Sequence, residues 1–351
     1  MLIPDIIYII HNQLDFIDQS NLRLVSKDFT KYPITNLFDN VPNTHKLTDK
    51  ILKSYPFIIK LDASYNNAII NVNHLINLQI LDAWGYCGIG NDGLSRLTNL
   101  TRLNAGENKK ITNVNHLINL RVLDAECDCG IGDDGLSILT NLTKLDATYN
   151  DKITNINHLH NLRILDASGN CGIGDDGLNR LINLQILYAS NNCKIDDDGL
   201  SQLTNLTELD ANSNNKITNI NHLINLQILD AGDDCGIGDD GFDRLTNLTK
   251  LNAGYNNKIT NVNHLINLRI LNVVGDCGIG DDGLSQLTDI TELYAGDNKI
   301  ITNVNHLVNL RILKAWGNCG IGDDGLSQLT NLTELNTGQS FDQFANIACL
   351  G

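Results

Sequence analysis

Basic residues are scarce in this 351-residue chain, where 25 Lys and Arg stand against 41 Asp and Glu and the formal net charge is −16. An acidic chain of this kind repels phosphate backbones and anionic lipid surfaces, so the composition argues against nucleic-acid and membrane partners. Long apolar runs are missing too, and none approaches the ~20 residues that a membrane span requires. The N-terminus, Met1 to Ile10, is apolar but carries no basic residue and is broken by Pro4 and Asp5. With no small-residue cleavage site, it does not read as a signal peptide. Proline is rare, and Pro33, Pro42 and Pro56 mark residues 30–56 as a linker. No Ser/His/Asp or Cys/His constellation stands apart from periodic sequence. No catalytic residue is therefore assigned, and no enzyme activity, cofactor or metal is expected.

What the chain has in abundance is a repeat. Leu-x-Ala centres recur from Leu61 through Leu81, Leu103, Leu123, Leu145 and Leu165 to Leu335, with spacings of 20 and 22 residues. They define 14 units over residues 57–340. The longer linking segment reads Ile-Gly-Asp-Asp-Gly-Leu-Ser-x-Leu, as at Ile131 to Leu139, and the shorter reads Ile-Thr-Asn-Val-Asn-His-Leu, as at Ile111 to Leu117. Periodicity of this length signals a solenoid, in which each unit is stable only against its neighbours.

Seven cysteines (Cys87, Cys129, Cys171, Cys193, Cys235, Cys277 and Cys319) occupy one repeat position. Most lie two repeats apart, on the order of 10 Å at the usual strand spacing of ~4.8 Å, too far for a disulfide. They are expected to be reduced, buried thiols of an intracellular protein. Five Asn-Leu-Thr sequons (Asn99, Asn141, Asn205, Asn247 and Asn331) recur with the repeat and are not expected to carry glycans. The periodic histidines, His74, His116, His158, His222, His264 and His306, are two or three repeats apart and too distant to share an ion. Gly-Asp-Asp-Gly matches no calcium loop, and Gly-Ile-Gly lacks the third glycine of a dinucleotide site. Asp134 and its equivalents are expected to cap the first turn of the return segment. Asn108, Asn150, Asn170, Asn192, Asn214, Asn256, Asn298 and Asn318 are expected to stack as a ladder.

This pattern resembles the leucine-rich repeat, Leu-x-x-Leu-x-Leu-x-x-Asn/Cys-x-Leu, over about four fifths of the chain. The longer units resemble the cysteine-containing repeats of F-box proteins, and the shorter ones those of internalin-like proteins. The resemblance implies an α/β solenoid, a horseshoe with a parallel sheet on its concave side. Ala stands for the second strand leucine in 12 of the 14 units.

Strand alternation then sorts the sheet residues. With Leu165 and Ala167 inward, Ile164, Asp166 and Ser168 face outward. Across the units a central outward column collects Asp62, Asp82, Asp124, Asp146, Asp166, Asp210 and Asp230 with Tyr188, Tyr294 and Lys314. The preceding column carries Ile or Val at 80, 122, 164, 186, 228, 270 and 312, and the following one holds Trp84 and Trp316. Strand propensity alone accounts for an Ile column, whereas an apolar stripe beside acidic groups and aromatic anchors is what a protein-binding face looks like. Trp84, Asp124, Asp166, Tyr188, Tyr294 and Trp316 are the candidate target-binding residues, and the acidic column points to a basic partner.

Residues 1–45 differ in composition. Ile6, Ile7, Ile10 and Leu14 fall at helical spacing after Pro4, and a second helix beginning near Asp18 buries Leu22, Val25 and Phe29. Leu2, Pro4, Asp5, Ile6, Ile10, Leu14, Asp18, Leu22, Val25, Ser26 and Lys27 follow the F-box pattern, which this segment resembles. A helical cap over the first repeat is the structural alternative. The resemblance implies docking of Leu2, Pro4, Ile6, Ile10, Leu14, Leu22 and Val25 on a Skp-type cullin adaptor, with the solenoid capturing a protein target for a ubiquitin ligase. The alternative function is a repeat scaffold without a ligase role. Residues 46–56 join the two parts, and residues 341–351, with Phe341, Phe344, Ile347 and Leu350 three apart, are expected to cap the last strand. The richness in Ile and Asn resembles repetitive F-box arrays of giant DNA viruses, which implies a cytoplasmic protein, in the host if viral.

Overall fold

A computed structural model describes residue 19, residues 34–37 and residues 46–338 of the chain. Most of the F-box-like segment and the C-terminal cap lie outside the described residues. The chain forms two compact units, one of residues 1–166 with 171–173 and one of residues 167–170 with 174–351.

The first unit holds strands β1 (Asn36–Leu37), β2 (Lys60–Asp62), β3 (Ile80–Asp82), β4 (Arg102–Asn104), β5 (Val122–Asp124), β6 (Lys144–Asp146) and β7 (Ile164–Asp166). All are parallel, and each central leucine pairs with the next, Leu61 with Leu81 and Leu145 with Leu165. The second unit repeats the arrangement in β8 (Ile186–Tyr188), β9 (Glu208–Asp210), β10 (Ile228–Asp230), β11 (Lys250–Asn252), β12 (Ile270–Asn272), β13 (Glu292–Tyr294), β14 (Ile312–Lys314) and β15 (Glu334–Asn336). Its register runs from Leu187 on Leu209 to Leu313 on Leu335.

Three-residue strands suffice because the backbone ladder continues beyond them. Ala105 N–H donates to Asp124 O at 2.8 Å, and Arg121 N–H to Thr101 O at 2.8 Å. Inside each repeat the apolar positions are sealed. Leu117, Leu120, Leu123, Ala125, Cys129, Ile131 and Leu136 are all fully buried. A buried leucine contributes about 1.5–3 kcal/mol, and here it is covered mainly by the repeats above and below, so neighbours stabilise one another.

The solenoid begins earlier than residue 57. The stretch read as a linker contains β1, which pairs Leu37 with Leu61, and a helical turn, Asp49–Leu52, capped by Thr48. Asp49 accepts from Ile70 N–H at 2.8 Å and Asn71 N–H at 3.3 Å. The Leu-x-Ala signature is missing around Leu37, so a search for that signature passes over this unit.

Two expectations about the turns are corrected. The helical turn Asp133–Leu136 starts after Gly132 and has no side-chain cap. The working carboxylate is Asp133, not Asp134, and it reaches into the next repeat, accepting from Thr154 N–H at 2.7 Å and Asn155 N–H at 3.1 Å. Asp197, Asp239 and Asp281 repeat this bond in the second unit. Gly135 follows because a Cβ there would run into the Thr112 carbonyl.

The asparagine ladder is also narrower than expected. Asn66, Asn108, Asn150, Asn214, Asn256 and Asn298 are buried, whereas Asn170, Asn192 and Asn318 are exposed and the adjacent Cys171, Cys193 and Cys319 fill the inner position. Asn108 Nδ2 donates to Ala83 O at 2.9 Å and Ile89 O at 3.1 Å, while its Oδ1 accepts from Lys110 N–H at 3.0 Å. Asparagine and cysteine repeats therefore alternate within each unit, except that Cys171 and Cys193 fall in consecutive repeats of the sequence. The amide of one repeat closes the turn of the cysteine repeat before it.

Five of the periodic histidines make a structural bond across repeats, His116 and His158 Nε2 each lying 3.0 Å from a backbone carbonyl one repeat back. His222, His264 and His306 repeat this bond, whereas His74 does not share it. The seven repeat cysteines are buried. Burial pushes the thiols of Cys87, Cys129, Cys193, Cys235 and Cys277 up to about 11. Each of the five sequon asparagines donates its Nδ2 to a carbonyl one repeat back, as Asn99 does to Ile76 O at 2.8 Å. Among the described residues no helix is long and apolar enough to cross a membrane.

Candidate binding surface on the sheet

The outward column of the first unit is half-buried and strongly acidic. Its carboxylates close the strand ends: Asp82 Oδ1 accepts from Trp84 N–H at 3.0 Å, Asp146 Oδ1 from Thr148 N–H at 3.0 Å, and Asn104 does the same for Gly106. Each residue two positions before a backbone N–H offers it a short side-chain acceptor, which is why Asp and Asn share the column. The remaining oxygens crowd one another. Burial, then repulsion from Asp146, drives the Asp124 carboxyl up to about 7, and the same two causes raise Glu126. Asp124, Glu126 and Asp146 have oxygens within 4.8 Å of one another, a donor set able to hold a metal ion. The preceding column alternates Lys60, Ile80, Arg102, Val122, Lys144 and Ile164, so the apolar stripe is interrupted by cationic side chains at every second strand.

Trp84 does not stand out into solvent as alternation implies. Its indole is half-buried and lies sideways over the next repeat, and its Nε1 donates to Glu126 Oε1, two repeats on, at 3.1 Å. The space comes from Gly106, where a Cβ would sit 2.6 Å from the indole Cδ1 and 2.7 Å from Glu126 Cγ. On the other side the Tyr65 ring meets the indole edge-on, with centroids 4.6 Å apart and planes at 76°.

In the second unit Tyr188 and Tyr294 are half-buried and turned along the sheet. Tyr188 OH donates to Glu208 at 3.1 Å and Tyr294 OH to Glu292 at 3.0 Å. The Glu292 bond raises the Tyr294 phenol, with burial second. Lys314 pairs with Glu334. Trp316 is the most open of the six predicted residues, at 36% exposed.

The structure thus brings Trp84 and Asp124 into one neighbourhood through Glu126. Asp166 lies two strands further along the same sheet, and Tyr294 faces Lys314 on the adjacent strand, two residues before Trp316. The predicted adaptor residues Leu2, Pro4, Ile6, Ile10, Leu14, Leu22 and Val25 lie outside the described residues. Sequence reasoning passed over Tyr65, Tyr86 and Glu126. Tyr65 lies in the turn after β2 at φ 53°, in the left-handed region where strand alternation no longer says which way a side chain points. It also passed over the exposed Ile76 and Ile118 of the first unit and Ile182, Ile224 and Ile266 of the second, on the return segments.

Residues 182–225 match the family model described as leucine-rich repeats (2 copies). Comparison with curated proteins returns no match. Among solved structures, an internalin from Listeria monocytogenes is similar at 26% identity and TM-score 0.59, over 84% of this chain and 90% of that one. A leucine-rich-repeat protein from Leptospira interrogans is similar at 22% identity and TM-score 0.54, over 87% of this chain and 88% of that one. The array is therefore built of leucine-rich repeats, in a fold typical of non-catalytic protein-interaction scaffolds.

Proposed function

We propose that this chain is a protein-binding adaptor that captures a protein target on its sheet faces. On this reading it serves as substrate receptor of a Skp–cullin–F-box ubiquitin ligase in the cytoplasm. The observation that carries the binding role is the outward face of the first unit, where aromatic rings and crowded carboxylates share one surface. Aromatic anchors beside charge are the usual content of a recognition face. The ligase role is supported by the N-terminal pattern Leu2, Pro4, Ile6, Ile10, Leu14, Leu22 and Val25 placed ahead of leucine-rich repeats. Such a receptor transfers nothing itself and acts by raising the effective concentration of its target at the ligase. Buried thiols such as Cys87, Cys129 and Cys235 suit a reducing compartment.

The second reading is a repeat scaffold with no ligase role, favoured by the likeness to an internalin across 84% of the chain. Capture of a purified Skp adaptor by the full-length chain separates the two. Retention that Pro4→Ala with Leu14→Ala abolishes is the expected result. Failure of the unaltered chain to retain the adaptor leaves the scaffold.

A further inference from the structure

The aromatic corner of the first unit has a chemistry of its own. Tyr65 is 54% exposed, and its ring stands edge-on to the Trp84 indole at 4.6 Å. Tyr86, 81% exposed, adds a third ring at the rim, close enough to act electrostatically on the Tyr65 phenol, as Glu107 does. The Trp84 orientation is fixed from the far side by the 3.1 Å bond to Glu126 and by the gap left at Gly106. The indole is therefore held as a preorganised wall rather than a loose surface side chain.

Carboxylates crowd this corner, and Arg102 on the strand between Asp82 and Asp124 is close enough to act on Asp82. Asp82 lies at the end of the strand that leads into Trp84, and Asp124 and Glu126 lie beyond the indole. Lys109 lies near enough to act on Tyr86 and Glu107 but its ammonium is held by Asp128 at 2.9 Å, and Lys152 donates to Cys129 O at 2.7 Å. Aromatic faces attract a cation through their quadrupole, and their rims cover an aliphatic stem. A bare metal ion would use the carboxylates and leave the rings idle, whereas an anionic group would be repelled. A primary alkylammonium on a hydrocarbon stem uses both.

We propose that Tyr65, Trp84 and Tyr86, with Glu107 and Glu126, form a lysine-recognition corner that receives an ammonium side chain from a basic segment of the target. This rests on the protein-binding reading of the sheet face and names the partner's chemistry there. Guided by charge complementarity, a lysine-bearing segment docks with its stem against the rings and its ammonium toward the acidic column.

The chain contains two tryptophans, so selective 15N-tryptophan labelling of the full-length protein gives one indole N–H resonance for each, assigned with Trp84→Phe. A tryptophan-free peptide of alternating glycine and lysine is titrated in. The expected result is a saturable shift of the Trp84 resonance that the same peptide with acetylated lysines does not produce. Tyr65→Ala and Glu126→Gln should each weaken it by roughly tenfold, with the Trp316 resonance unmoved as a check that the remaining repeats stay folded. No Trp84 shift, an equal shift with the acetylated peptide, or a shift confined to Trp316 overturns the proposal. Target capture that survives Tyr65→Ala would sink this corner while leaving the adaptor role standing. Loss of all target capture by the unaltered chain would sink the adaptor role itself.

Discussion

Trp84 and Glu126 meet across a repeat that separates them, the indole Nε1 donating to Oε1 at 3.1 Å above Gly106. The two partners stand 42 positions apart in the sequence. The contact exists because three stacked turns carry a large ring, an empty place and an acceptor in that order. Gly106→Ala should displace the indole from Glu126 and cost about 1–3 kcal/mol, as overpacking does. Urea unfolding followed by tryptophan emission checks this, with a red-shifted native spectrum as its companion. An unchanged midpoint and spectrum would show that the indole moves aside freely.

The Asp124 carboxyl, raised to about 7 by burial and by Asp146, Glu126 and Asp82, gives a pH dependence of defined sign. An unfolded aspartate titrates near ~3.9. Between those values the native state holds more protons than the unfolded chain, so this group's contribution to stability falls as pH rises through 7 and recovers as pH falls. Asp124→Asn removes the penalty and keeps the side-chain acceptor for Glu126 N–H, as Asn104 does for Gly106. Melting temperatures at pH 5 and pH 8 should show the variant higher at pH 8, by roughly 2–4 °C, with a smaller gain at pH 5. A gain of equal size at both values would contradict the assignment.

Asn256 is 1% exposed, and its amide donates to Ala231 O at 2.7 Å and Ile237 O at 3.0 Å, while Oδ1 accepts from Lys258 N–H at 2.9 Å. Asn256→Ala leaves these backbone groups without partners inside the second unit. The expected loss is about 1–3 kcal/mol for each group stranded. Asn257, exposed in the same turn, serves as the control. Denaturant melts of the two alanine variants should differ clearly, and equal midpoints would remove the ladder's role in stability.

The inward leucines, the inner cysteines and the structural histidines were legible in the sequence. Leu123 or Cys129 is buried because a period-two strand and a fixed repeat place it inside, whatever its neighbours do. Reading the outward face was harder. Trp84, Tyr188 and Tyr294 occupy the outward registers that alternation assigns, yet each turns along the sheet to a carboxylate on its own or a nearby strand. Alternation gives the direction of Cβ and says nothing of where a long side chain ends. Tyr65 escaped because its turn leaves the strand geometry on which that rule depends.

Local periodicity determined by itself that this chain is a leucine-rich-repeat solenoid, which leucines pair, and which residues are sealed within it. Those properties depend on a pattern contained in about twenty residues. Only the stacked structure decided that Asp133 serves Thr154, that Asn108 closes the turn of the cysteine repeat before it, and that Trp84 reaches Glu126. Each of these bonds joins different repeats. Its existence depends on how far one turn lies from the next and which side chain the intervening repeat leaves out.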